Sequence, residues 1–189
     1  MQKTITYFDK PGPLNTEECL DIVKENIKKY NYRHLVVATT TGNTGVFFAE
    51  NLKDEDINVI VVTHSYGFKE PNTIELSDEA RAGILATGAK IYTGTMITHS
   101  LETALAKKFS GVYPTLLVAQ SLRRFGEGPK VCCEMIMMAA DAGLIPEGEE
   151  VVTVAGTGHG ADTVTVIKSA ASKRFLDLKV LEILAKPRG

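Results

Sequence analysis

His34-Leu35-Val36-Val37-Ala38-Thr39-Thr40-Thr41-Gly42-Asn43-Thr44-Gly45 is the stretch on which the fold turns. An apolar, β-branched run reads as a strand from about Leu35 to Thr39, and it ends in hydroxyls and glycines. Val46-Phe47-Phe48-Ala49-Glu50-Asn51-Leu52 comes next, so a helix is expected from about Thr44 to Leu52. That order sets a helix N-terminus, free N–H groups and three successive hydroxyls beyond the carboxyl end of a strand. Such a place favours a phosphate or a carboxylate. A capped turn is the plainer reading, because Thr and Asn favour helix starts and Gly supplies positive φ. Three consecutive threonines are more than a cap needs.

Outward from this unit, strands and helices alternate. Asn15-Thr16-Glu17-Glu18 carries the spacing of a capping box, with Asn15 as cap and an apolar stripe running on to about Tyr30. Asn58 to Thr63 is a continuous apolar strand of the kind buried on both faces. Ser77 caps a helix that ends at Gly88-Ala89, and Lys90 to Gly94 is a short third strand. Helices are predicted over Thr98 to Phe109 and Tyr113 to Phe125. After the break at Gly126-Glu127-Gly128-Pro129, another helix runs from Lys130 to Ala142, apolar on most sides and hence deeply buried. Glu149 to Val154 and Thr163 to Lys168 read as strands, and Leu178 to Ala185 as a final strand in preference to a short helix. The pattern is that of a three-layer α/β/α fold with a mostly parallel sheet, in which ligands bind beyond the strand carboxyl ends.

A second small-residue loop, Gly156-Thr157-Gly158-His159-Gly160-Ala161-Asp162, succeeds the strand ending at Val154. It fits the loose glycine pattern of dinucleotide sites, but that mechanism needs a helix next, and Thr163-Val164-Thr165-Val166 reads as strand. The loop is open to close approach of a ligand to its backbone, or is a structural turn. The loop Thr63-His64-Ser65-Tyr66-Gly67-Phe68 would flank the same edge, with Tyr66 and Phe68 offered for stacking on a planar ring. His64, His99 and His159 each fall near a strand exit and could meet on one face. No spacing supports a metal site, and none is expected. No GxSxG elbow supports a hydrolase. Cys132 and Cys133 lie in the apolar helix and read as inert buried thiols.

The 189 residues favour one domain, spanning 1–189, and 44% hydrophobic content favours a packed core. A net charge of −2 offers no basic face for nucleic acid. No apolar run reaches membrane-spanning length, and Met1 to Asp9 lacks the apolar segment of a signal peptide. Three cysteines, two of them adjacent, suit reduced thiols, so a cytoplasmic location is expected.

The chain resembles the pyruvate kinase C-terminal-domain-like family, in particular its stand-alone members of unassigned function. The resemblance is carried by Phe8-Asp9-Lys10-Pro11-Gly12-Pro13-Leu14-Asn15-Thr16-Glu17-Glu18, by Val36 to Thr44, by Val59 to Thr63 and by Gly148 to Gly156. It implies a five-stranded sheet of order 3-2-1-4-5 with the last strand antiparallel. In pyruvate kinases the loop matching Thr39 to Thr44 can hold an effector sugar phosphate. Here Asn43 stands where that loop often has a basic residue, and Thr163 to Lys179 is longer than its kinase counterpart. The catalytic barrel of pyruvate kinase is missing, so pyruvate kinase activity is not expected. Related domains often lie at subunit interfaces, which makes a homo-oligomer compatible with the sequence.

These readings converge on a phosphorylated small ligand bound by Thr39, Thr40, Thr41, Gly42, Asn43, Thr44 and Gly45. Thr63, His64, Ser65, Tyr66 and Phe68 would line the flank, and Gly156, Thr157, Gly158, His159, Gly160 and Asp162 the second loop. FMN or a similar nucleotide is favoured over a sugar phosphate, given the uncharged loop and the nearby aromatics. The alternatives are a flavin-dependent oxidoreductase and a sugar-phosphate-sensing or scaffolding subunit.

Overall fold

The computed structural model describes residues 3–189. Its central strand, β2 (His34–Ala38), is buried along Leu35, Val36 and Val37, as a run of β-branched residues covered on both faces must be. The other strands are β1 (Thr6–Phe8), β3 (Asn58–Val62), β4 (Lys90–Tyr92), β5 (Glu150–Ala155), β6 (Thr163–Lys168) and β7 (Lys179–Pro187). The helices are α1 (Thr16–Tyr30), α2 (Asn43–Leu52), α3 (Asp78–Ala86), α4 (Leu101–Phe109), α5 (Pro114–Leu122) and α6 (Glu127–Asp141).

The sheet has seven strands in the order β1-β7-β6-β5-β2-β3-β4. The expected five-stranded order is its core, β4-β3-β2-β5-β6, with β6 antiparallel to β5. Two strands must be added. The run expected at Leu178 to Ala185 is β7, which pairs antiparallel with β6, and the three-residue β1 pairs parallel with the end of β7. Three residues are too few to display the alternation by which a strand is recognised.

Chain progression reverses once. Helices α1, α2 and α3 pack on one face of the sheet through Leu20, Val23, Phe48, Leu52 and Ile84. Helix α6 covers the other face through Cys132, Cys133, Met135, Ile136 and Ala139. Right-handed crossovers dictate this arrangement, because the chain moves outward from β2 to β4 and then returns to β5. A cleft is left above the carboxyl ends of β2, β3 and β5, between α2 and α6.

Two local expectations change. Asn15 does not cap α1: its amide reaches back to the carbonyls of Lys10 (2.8 Å) and Gly12 (3.2 Å), and it lies in a 3-10 turn, Pro13–Asn15. Helix α6 begins at Glu127, earlier than Lys130, once Gly126 has turned the chain. Ser77 does cap α3, accepting from Ala80 N–H at 3.1 Å. Burial pushes the Cys132 thiol up to about 11 and Cys133 up to about 12, consistent with inert core thiols. Among the described residues, no helix is long and apolar enough to cross a membrane.

Candidate functional site

A cavity of about 790 Å³ occupies the cleft, within the range of small-molecule sites. One wall is the loop between β2 and α2. Thr39, Thr40, Thr41, Asn43 and Thr44 line it. In this loop the Gly45 N–H donates to Thr39 Oγ1 at 3.2 Å, and the Val46 N–H donates to the Gly42 carbonyl at 2.8 Å. Asn43 and Thr44 are the first residues of α2, so their N–H groups have no partner within the helix. The wall therefore combines a helix N-terminus with threonine hydroxyls.

Gly42 and Gly45 do not line the cavity. They face the opposite way, where they allow α2 to settle. Gly42 has φ +110, and a Cβ there would stand 2.2 Å from Ala80 Cβ on α3. A Cβ on Gly45 would stand 2.7 Å from Val61 Cγ1 of β3. Both glycines position the loop without touching its contents.

The end of β3 supplies Thr63, His64 and Phe68. The Thr63 hydroxyl is committed to the neighbouring strand end, 2.7 Å from Thr93 Oγ1 and donating to His64 O at 2.9 Å. His64 Nδ1 lies 3.0 Å from Glu75 Oε1, with Lys69 Nζ 3.6 Å from the same oxygen. Burial works against the Glu75 charge, but the His64 and Lys69 contacts outweigh it and lower its pKa. Phe68 packs on His64 with ring centroids 4.2 Å apart and meets His99 edge-on at 5.9 Å. Tyr66 is 62% exposed and, like Ser65, lies outside the lining. The aromatic side of the cavity at the end of β3 is thus Phe68 with two imidazoles, and Phe47 of α2 lines it as well.

The loop between β5 and β6 contributes Gly156, Gly158, His159 and Gly160 to the lining, but not Thr157 or Asp162. Asp162 is fully buried. Its Oδ2 accepts from Gly12 N–H at 2.9 Å and Thr157 N–H at 3.0 Å, and its Oδ1 accepts from the Thr163 hydroxyl at 2.9 Å. This carboxylate holds the loop and the N-terminal segment together. The loop leads into an antiparallel strand, so no helix dipole is aimed at it.

The three histidines border one cavity, His64 and His99 around Phe68 and His159 from the second loop. Among the described residues, no three His, Cys, Asp or Glu side chains come together as metal ligands.

The fourth wall is α6, which the sequence pattern alone does not single out. Lys130 and Glu134 line the cavity, 1% and 3% exposed, with Lys130 Nζ 2.5 Å from Glu134 Oε2. Glu134 Oε1 accepts from Thr98 N–H at 2.6 Å and from Thr98 Oγ1 at 2.8 Å, and His99 Nδ1 stands 3.8 Å from Oε2. Burial raises the Glu134 pKa, yet His99, Lys130 and Thr98 together bring it down to about 2. Arg123 also borders the cavity, paired with Glu127 at 2.9 Å, whereas Arg124 does not. The one signal for this wall is a pair of opposite charges four residues apart in a helix that otherwise reads as core.

The sequence matches the family described as pyruvate kinase, alpha/beta domain, over residues 17–167. Among solved structures, a Cryptosporidium parvum pyruvate kinase is similar at 15% identity and a TM-score of 0.44, covering 82% of this chain and 23% of that one. The same organism's pyruvate kinase in complex with ADP is similar at 16% identity and a TM-score of 0.44, covering 82% and 24%. An O-ureido-L-serine synthase is similar at 18% identity and a TM-score of 0.33, covering 75% and 51%. This chain spans about a quarter of the length of the pyruvate kinases it matches.

Proposed function

The chain belongs to the pyruvate kinase alpha/beta-domain family, and from that premise we propose that its cavity binds a phosphorylated small molecule, FMN or a similar nucleotide. The observation that carries the reading is the wall formed by Thr39–Thr44. It presents hydroxyls and the unpartnered N–H groups of a ten-residue helix to a cavity of about 790 Å³. A phosphate there meets oriented donors and the positive end of the α2 dipole.

A flat, largely apolar ring system suits the rest of the cavity. Phe68 offers an aromatic face between His64 and His99, and Met96, Val131, Met135 and Met138 give apolar lining. Gly158, with open space where a Cβ would stand, lets a ring approach the backbone of the second loop. A bound flavin would supply electron or hydride transfer, and the residues around the cavity would orient and shield it.

Native mass spectrometry with a visible absorption spectrum of the purified protein tests this, together with titration of FMN into any ligand-free fraction. Retained flavin, or saturable uptake of added FMN with one site per chain, is the expected result. A protein that neither retains nor takes up FMN and is not stabilised by inorganic phosphate contradicts the reading.

A further inference from the structure

Lys130 is an unusual side chain for its position. It is 1% exposed, on a helix whose neighbouring positions are Val131, Cys132 and Cys133. A lone ammonium could not sit there, and Glu134 one turn on neutralises it at 2.5 Å. Buried ion pairs of this kind are no better for stability than well-packed apolar residues of the same volume. The pair therefore calls for a use.

Its two members are not equally committed. Glu134 receives Lys130 on one oxygen and two bonds from Thr98 on the other. The carboxylate is saturated and fixed between α6 and the segment after β4. Lys130 has three N–H donors. Among the described residues, Glu134 is the one acceptor within hydrogen-bond reach of its Nζ. The side chain borders the cavity, so its remaining donors have the cavity as their outlet. The opposite wall meanwhile lacks a cation: from Thr39 to Leu52 the one charged residue is Glu50. Arg123 also borders the cavity, but its pair with Glu127, made through Nε, is far more exposed to water than the Lys130–Glu134 pair.

We infer that Lys130 is the ligand-holding cation of this cavity, taking an anionic oxygen of the ligand from the α6 wall and supplying the positive charge that the threonine loop lacks. The inference rests on the reading of the cavity as a phosphate site and adds the residue that makes it selective for charge. Glu134 acts as the positioning residue: it holds the ammonium in place, and through Thr98 it holds His99 beside the same cavity.

The test is calorimetric titration of FMN, riboflavin and inorganic phosphate into the wild-type chain, a K130M/E134Q double variant and Thr44→Val. The double variant removes both charges together and keeps an acceptor for Thr98. It is expected to bind FMN and phosphate at least about tenfold more weakly, as loss of a charge-assisted hydrogen bond implies, with riboflavin affinity unchanged. Unchanged FMN and phosphate affinity in the double variant, with weakening in Thr44→Val, overturns the role of Lys130 and leaves the cavity reading standing. Equal weakening of riboflavin and FMN also overturns it, because Lys130 would then hold the ring. A wild-type chain that binds neither FMN nor phosphate overturns both. The wild-type chain gives a second readout independent of variant folding: the Lys130 ammonium NMR resonance is expected to shift saturably with phosphate. Phosphate binding with that resonance unmoved contradicts the inference.

Discussion

After β2, the N–H groups of Asn43 and Thr44 have no partner in their helix, and five polar side chains of the loop line the cavity. After β5, several of the corresponding groups are consumed, although the N–H groups of Gly158 and Gly160 are left without such a partner among the described residues. Thr157 N–H goes to Asp162, Ala161 N–H to Thr16 Oγ1 at 3.0 Å, and Asp162 N–H to the Ala155 carbonyl at 3.0 Å. A Cβ on Gly160 would stand 2.4 Å from Pro13 Cα, so the missing side chain makes room for the N-terminal segment, while the residue borders the cavity. Both loops contain the same small residues at strand ends. The first leaves the donors of a helix N-terminus over, and the second ties four of its seven, those of Thr157, His159, Ala161 and Asp162, to the protein itself. Small-residue composition alone therefore does not distinguish a binding loop from a knot of close packing. The difference is set by the next element of the chain, a helix after the first loop and an antiparallel strand after the second.

This contrast is sharpened first by Asp162→Ala. It strands buried donors from Gly12, Thr157 and Thr163, and the expected cost is about 3 kcal/mol or more in urea unfolding. Retained stability with lost ligand affinity would reverse the assignment of the second loop. An intermediate effect is expected from pH. Glu134 has a folded-state pKa of about 2 against an ordinary 4.5, so its contribution to stability is full above 4.5 and is lost as pH falls towards 2. K130M/E134Q should flatten the stability profile in that acid window, which thermal melts at several pH values will read. Thr44→Val should leave the melting temperature nearly unchanged while lowering phosphate affinity by about tenfold, the value of a hydroxyl hydrogen bond to a charged group. The smallest effect belongs to His159→Gln. His159 is exposed, and the stability change should stay within about 0.5 kcal/mol.

The core of the fold is legible in the sequence because its signals are local. The runs at Leu35–Val37 and Val59–Val62 announce buried parallel strands, and Ser77 announces a cap that forms as expected. β1 is invisible because its pairing partner, the end of β7, lies at the far end of the chain. Asn15 misleads because the Pro13–Asn15 turn fixes its backbone as helical before a cap can form. At the site, the threonine loop can be read from its order, but Gly42 cannot be separated from its neighbours, since its role depends on Ala80 of α3. Tyr66 looks equivalent to Phe68 and points elsewhere, because only Phe68 is gripped by His64 and His99. Lys130 and Glu134 look like an ordinary helical ion pair, and only the fold places them in the core beside the cavity.

The most direct test is a backbone amide NMR titration of the isotopically labelled chain with inorganic phosphate and then FMN. The account predicts saturable shifts centred on the N–H groups of Asn43 and Thr44, with the N–H groups of Thr157, Ala161 and Asp162 little moved by phosphate. Phosphate shifts centred on the loop after β5, with Asn43 and Thr44 unchanged, would contradict it.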